Sequence, residues 1–211
     1  MSEQIGLFEA IYSQRTLRRL KPDPVPDDLV RKLIEAATKA PSGGDRQPWA
    51  FIVIREQATK DKIGAWYRDA WDRTYGTMPQ EARAQLSARR ARVLGSAEHL
   101  AHHLAEAPVL ILVCAQAPPL PDAVVAASHY GSVFPAVQNL LLAARGLGLG
   151  AVLTTLHKLH EGELKQLLGI PDALEAVVLI PVGYPIDNYG PTTRRPVERV
   201  LHMERWDPAK A

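Results

Sequence analysis

Val109-Leu110-Ile111-Leu112-Val113-Cys114-Ala115 is an unbroken apolar run, opened by Pro108 and closed by Gln116. A short run of this kind, without polar alternation, reads as a strand buried on both faces. A second, Ala176-Val177-Val178-Leu179-Ile180-Pro181-Val182, lies between Glu175 and Gly183. A third, Trp49-Ala50-Phe51-Ile52-Val53-Ile54, is apolar on both faces and is expected to be central in a sheet. Ala151 to Thr155 makes a short further strand.

The segments between these runs carry helical spacing. Leu7, Phe8, Ile11 and Tyr12 mark a first short helix over 5–14. A second begins at Pro26-Asp27-Asp28, with proline in its first turn and acids at its positive end, and buries Leu29, Leu33, Ile34 and Ala37. Residues 57–75 and 79–104 read as charged helices. The Pro-rich link 118–121 leads to a helix from about 122 to 145, which Pro135 is expected to kink or split. Glu161 to Leu168 is a short helix. Strands and helices mix without the regular alternation of a doubly wound fold. The expected class is α+β: a central mixed or antiparallel sheet of four to five strands flanked by long helices, in a single domain over 1–211. Residues 185–211 are polar, proline-bearing and aperiodic, and read as an extended arm.

Composition narrows the chemistry. Apolar residues are 46% and charged residues 23% of the 211, an ordinary globular balance. A formal charge of +2 gives no reason to expect nucleic acid as a partner. Cys114 is the only cysteine, so no intrachain disulfide forms and a reducing compartment is expected. No signal pattern or membrane-length apolar run appears, and the chain is expected to be soluble and cytoplasmic, with no membrane partner. No Walker loop, His-Glu-x-x-His motif or Gly-x-Ser-x-Gly turn is present. Gly146-Leu147-Gly148-Leu149-Gly150 follows a helix and precedes a strand, the reverse of a dinucleotide loop, and reads as a tight turn. His99, His102 and His103 lack companions of ligand spacing and are read as a solvated helix face, not as a metal site. The same reading is given to Arg89-Arg90-Ala91-Arg92.

Two segments stand apart. In Gln14-Arg15-Thr16-Leu17-Arg18-Arg19, Arg15 and Arg18 would share one side of a helical turn, and two guanidinium forks with a hydroxyl between them suit a phosphate monoester. On these residues alone a plain surface charge run explains the segment as well. Ala40-Pro41-Ser42-Gly43-Gly44-Asp45-Arg46-Gln47-Pro48-Trp49 is a small-residue loop entering a buried strand, where backbone can approach a flat ligand.

Together these segments resemble the opening of the FMN-dependent nitroreductase family. The likeness continues through Phe134-Pro135-Ala136-Val137-Gln138-Asn139, the turn Gly146-Leu147-Gly148, Leu153-Thr154-Thr155, Val182-Gly183-Tyr184-Pro185 and Arg194-Arg195-Pro196-Val197. The resemblance implies a nitroreductase-like fold and non-covalent FMN. The phosphate would be held by Arg15, Thr16, Leu17 and Arg18 with Arg194 and Arg195. It further implies a homodimer in which Pro41, Ser42 and Gly43 of one chain meet the flavin of the other, and in which residues 185–211 embrace the partner. Leu153, Thr154 and Thr155 would run along the isoalloxazine ring. The chemistry implied is ping-pong: NAD(P)H reduces the flavin and leaves, then a small oxidised acceptor (a nitroaromatic, quinone or activated alkene) takes the same place, with no dedicated catalytic side chain. A dehalogenase, a flavin-degrading enzyme and a non-catalytic flavin store or sensor are the alternatives. Trp66, Tyr67, Trp71 and Tyr75 suit a substrate wall and core packing equally. Two positions depart from the family pattern: Gln14 stands for an arginine and Asp45 for an asparagine.

Overall fold

The computed structural model describes residues 5–116 and 123–210. Its frame is a four-stranded, wholly antiparallel sheet in the order β1-β2-β4-β3, made of β1 (Trp49–Ile54), β2 (Val109–Gln116), β3 (Gly150–Ala151) and β4 (Leu174–Gly183). The two unbroken apolar runs are the two central strands. Val109, Ile111, Val113 and Ala115 turn to one face, with Val178, Ile180 and Val182 beside them. Leu110, Leu112 and Cys114 turn to the other, with Leu179 and Ala176. A bulge between Val113 and Cys114 leaves Val177 without a direct partner, so that Val177 and Val178 both serve the first face.

Each face demands a cover. α2 (Asp27–Ala37) and α6 (Ala123–Gly146) close the first, through Val30, Leu33, Val133, Val137 and Leu140. α3 (Gln57–Trp71) and α5 (Ala88–His103) close the second, through Ile63, Tyr67, Trp71 and Leu100, helped by Leu164 of α7 (Glu161–Leu168). A fully buried leucine such as Leu110 or Leu112 stabilises the fold by about 1.5–3 kcal/mol. The Cys114 thiol lies wholly inside this core, where burial raises its pKa to about 11, so it stays protonated.

Several boundaries differ from the sequence expectations. β1 is an edge strand, not a central one, and Ala50 and Val53 are exposed. Its apolar character on both faces exceeds what this chain alone buries. The helical stretch over 79–104 is two helices, α4 (Gln80–Ala84) and α5, because Ser87 intervenes and its Oγ accepts the Arg90 N–H at 3.3 Å. α3 runs on into a π-helical turn over Asp72–Gly76. Pro135 does not divide α6. The carbonyl it leaves unbonded belongs to exposed Gly131, while Val133, Ala136, Val137 and Leu140 hold the opposite face. The strand expected over 151–155 is reduced to β3 plus a bridge between Thr154 and Leu179, whose backbone groups exchange two bonds of 3.0 Å. Gly148, at φ +72°, permits the turn from α6 into β3. The Pro-rich link 118–121 lies outside the described residues. No helix among the described residues is long and apolar enough to cross a membrane.

Beyond β3, His157 is 2% exposed in a 3-10 turn over Leu156–His160. Its Nε2–H donates to the Ala176 carbonyl at 2.9 Å, which leaves Nδ1 buried without a partner. Burial is the main reason that its pKa falls from 6.5 to about 4; the Ala176 bond opposes it. The unfolded chain therefore binds a proton in this window that the folded chain refuses, so stability is present above pH 6.5 and declines as pH falls toward 4. That gap corresponds to about 3 kcal/mol. Urea denaturation at stepped pH should show the decline between pH 6.5 and 4, and His157→Gln should flatten it. An equal slope in both proteins would show that other groups govern the window.

Candidate functional site

The arginine-bearing segment is held to the end of the sheet. α1 (Leu7–Ser13) stops at Ser13, and residues 14–19 are not helical, so Arg15 and Arg18 do not share a helical face as the sequence suggested. Leu20 instead bridges Pro185. The Lys21 N–H donates to the Tyr184 carbonyl at 2.7 Å, and the Ile186 N–H to that of Arg19 at 3.0 Å. The approach requires glycine at both members of one β3–β4 pair. A Cβ at Gly150 would stand 2.8 Å from Leu20 Cδ2 and 3.1 Å from Pro185 Cβ; one at Gly183 would stand 2.9 Å from Pro108 Cδ. Leu17 is 3% exposed and acts as a core peg, so any ligand contact from it would be through backbone.

Pinned this way, Arg18 enters a cleft of about 710 Å³ between α3 and α5, within the usual range for small-molecule sites. Val152, Leu153, Thr154, Thr155 and Leu156 form its floor. One wall carries Tyr67, Trp71, Tyr75 and Met78; the π-helical turn places Tyr75 against Trp71, with centroids 4.9 Å apart. The other carries Leu86 and Ser87 and then α5 residues from Arg89 to Leu100. A separate depression of about 550 Å³ between α2 and β1 shares no residue with the cleft.

At the floor, the Tyr67 hydroxyl and Thr154 Oγ1 share a hydrogen bond of 2.6 Å. Burial raises the pKa of Tyr67, against the Thr154 bond and the Arg18 charge, so the phenol stays protonated. Burial also lowers the pKa of Arg18, partly offset by Tyr67. Arg18 has a long contact of 3.5 Å to Ser96 Oγ, and among the described residues no Asp or Glu lines the cleft. A partly desolvated guanidinium without a carboxylate suits a ligand that brings electron-rich or anionic oxygens.

The other candidates are dispersed. Arg15 stands beside Gly190 of the C-terminal segment. Thr16, Arg194 and Arg195 are exposed. Thr193, next to Arg194, accepts from Arg89 at 3.5 Å. Thr192 binds the Tyr12 carbonyl through its N–H at 2.9 Å. Pro41, Ser42 and Gly43 do not line the cleft. Their loop lies on α6, where the Gly43 N–H donates to Ser132 Oγ at 3.0 Å. Ser42 Oγ accepts the Gln47 N–H at 3.0 Å, and the Asp45 carboxylate accepts the Gln47 side-chain amide at 3.0 Å. Gly44, Asp45 and Gln47 all have positive φ, a concentration of strain in one exposed loop. Trp66 is absent from the cleft lining and stacks on His160, 6.2 Å between centroids. Arg89 and Arg90, read from sequence as a solvated face, line the cleft. Their spacing with Leu86, Val93 and Leu94 was the available signal.

Comparison with known proteins accords with this geometry. A model of the nitroreductase family matches residues 11–184, and the chain belongs to that family, which places it among the oxidoreductases. It is 31% identical to a Methanothermobacter thermautotrophicus protein named "Putative NADH dehydrogenase/NAD(P)H nitroreductase", covering 96% of this chain and 89% of that one. It is 32% identical to an iodotyrosine deiodinase of Thermotoga neapolitana, over 86% and 89% of the two chains. Among solved structures, an oxidised iodotyrosine deiodinase bound to FMN and 3-iodo-L-tyrosine superposes with a TM-score of 0.69 at 27% identity, covering 96% of this chain and 99% of that one.

Because Gly150 is what lets Leu17, Leu20 and Pro185 close on the sheet, Gly150→Ala should destabilise the protein by about 1–3 kcal/mol through overpacking. Gly162→Ala, in open space on α7, should not. Denaturation midpoints of the two variants that coincide with wild type would refute the pinning argument.

Proposed function

We propose that this protein is an FMN-dependent oxidoreductase that passes electrons from NAD(P)H to small oxidised acceptors by ping-pong turnover. The observation that carries the reading is the cleft: a pocket without a carboxylate among its described lining residues, in which Arg18 and the Tyr67–Thr154 pair converge on the floor at 153–155. FMN fits this donor set: Arg18 would hold carbonyl oxygens of its ring, and Arg15, Arg194 and Arg195 near the C-terminal segment would supply cations for its phosphate. When bound, FMN supplies the two-electron chemistry between donor and acceptor. The chain's own residues do the rest. Arg18 and the backbone of Thr154 and Thr155 orient the ring, and the neutral Tyr67 phenol fixes the Thr154 hydroxyl. Trp71 and Tyr75 exclude water from one side. Donor and acceptor enter one cleft in turn, which makes double-reciprocal plots parallel.

A second copy of the chain completes the site in this reading. Pro41, Ser42 and Gly43 lie off the cleft of their own chain, so only a partner's loop can bring these residues to the flavin. Leu7, Phe8, Ile11 and Tyr12 on α1, with Ile186, Val200, Met203 and Trp206 in the arm, are exposed apolar residues suited to an interface. A second reading, reductive dehalogenation of an aromatic substrate, is favoured by the identity to the Thermotoga deiodinase, and iodide release from iodotyrosine would reveal it.

The purified protein should be yellow, lose its flavin absorbance on anaerobic addition of NADPH or NADH, and regain it with a nitroaromatic or quinone. Flavin that neither nucleotide bleaches would leave a store or sensor. Sedimentation should give about twice the 23.2 kDa of one chain, and a flavin-loaded single chain would refute the shared site. Arg15→Ala should weaken FMN roughly 10- to 150-fold while sparing riboflavin, which lacks the phosphate. Arg18→Ala should weaken both. Equal losses for both ligands in both variants would defeat this division of roles.

A further inference from the structure

α5 meets the cleft with one stripe, Arg89, Arg90, Val93 and Leu94, at the spacing that keeps residues on a single helical face, with Leu86 just before the helix. Its apolar part is what a flat ring needs opposite Trp71 and Tyr75. Its first turn carries two exposed guanidinium groups that border the cleft. Among the described residues neither forms an ion pair. Arg89 has a long bond to the Thr193 carbonyl at 3.5 Å, and among the described residues no acid lines the cleft they border. Arg92, in the same basic run, falls off the stripe and does not line the cleft. The cofactor assignment above uses Arg15, Arg18, Arg194 and Arg195, which leaves Arg89 and Arg90 without an anion.

We infer that Arg89 and Arg90 select an acceptor that carries a carboxylate on or near its aromatic ring. The ring lies along the Trp71–Tyr75 wall while the carboxylate meets the guanidinium forks at the start of α5. A planar, bidentate partner is what arginine recognises better than lysine does. This reading rests on the proposed flavin site and adds a substrate class to it. Two other anions share the same chemistry, the FMN phosphate and the 2′-phosphate of NADPH. The position of Arg89 and Arg90 on the wall that also presents Val93 and Leu94 favours the acceptor.

The test is calorimetric titration of the oxidised, FMN-loaded protein with 4-nitrobenzoate and with its neutral counterpart 4-nitrobenzamide. In wild type the carboxylate should bind about tenfold or more tightly than the amide, and that preference should shrink as salt is raised. Arg89→Ala and Arg90→Ala should each remove most of it without changing affinity for the amide, for FMN, or for NADPH relative to NADH. Lysine at either position should restore part of it, and Arg92→Ala should bind like wild type. Equal binding of carboxylate and amide by flavin-loaded wild type would overturn the inference while leaving the flavin site standing. A loss confined to FMN affinity, or to NADPH and not NADH, would overturn it in favour of the corresponding phosphate. A protein that takes up no flavin fails the earlier reading instead, and that failure is visible in the absorbance spectrum before any titration.

Discussion

Everything in this structure depends on β2 and β4 being buried on both faces at once. A strand with side chains on two apolar faces cannot rest against one layer, so Val109, Ile111 and Val113 require α2 and α6 just as Leu110 and Leu112 require α3 and α5. The cleft is a consequence. α3 and α5 both lie over the second face, and the cleft opens between Tyr67, Trp71 and Tyr75 on one side and the first half of α5 on the other. The floor they leave open is the irregular chain between β3 and the 3-10 turn.

The same sheet end sets the electrostatics. Gly150 and Gly183 allow residues 17–20 to lie close, and that approach carries Arg18 into partial burial without a carboxylate beside it. Burying a charge is costly unless something compensates it, and in the proposed function a ligand would supply that compensation. The nearby network looks the opposite way: His160 binds Asp69 and Glu163, and Lys158 binds Glu161 and Glu175. Charge on that side is matched within the chain. The cleft instead carries Arg18, Arg89 and Arg90 with no Asp or Glu among its described lining residues.

The strained loop after α2 has a different logic. Gly43 lies so close to Ser128 that a Cβ would stand 2.4 Å from its Oγ, and the Gly43 N–H is tied to Ser132. Ser42, Asp45 and Gln47 then satisfy one another. The Asp45 carboxylate, a departure from the family pattern, is thereby occupied within its own loop. The loop is thus tied to α6 and lines neither the cleft nor the depression beside α2, and the apolar side chains of α1 and the C-terminal segment remain exposed.

Local pattern determined much about this protein. The runs at 109–116 and 175–183 became the central strands, Asp27 to Ala37 and Glu161 to Leu168 became helices, and the motifs from Arg15 to Pro185 pointed to the family that the comparison shows. These features depend on neighbours in sequence, and so are legible there. Which strand stands at the edge was not, because apolar character on both faces of Trp49–Ile54 records burial without saying what supplies it. Nor was the fate of the basic residues. Arg18 lines the cleft and Arg15 does not, in a non-helical segment whose Leu17 and Leu20 lie against Gly150, and Arg89 and Arg90 belong to a cleft because α5 packs beside α3. Those outcomes turn on contacts between segments distant along the chain, which only the tertiary structure decides.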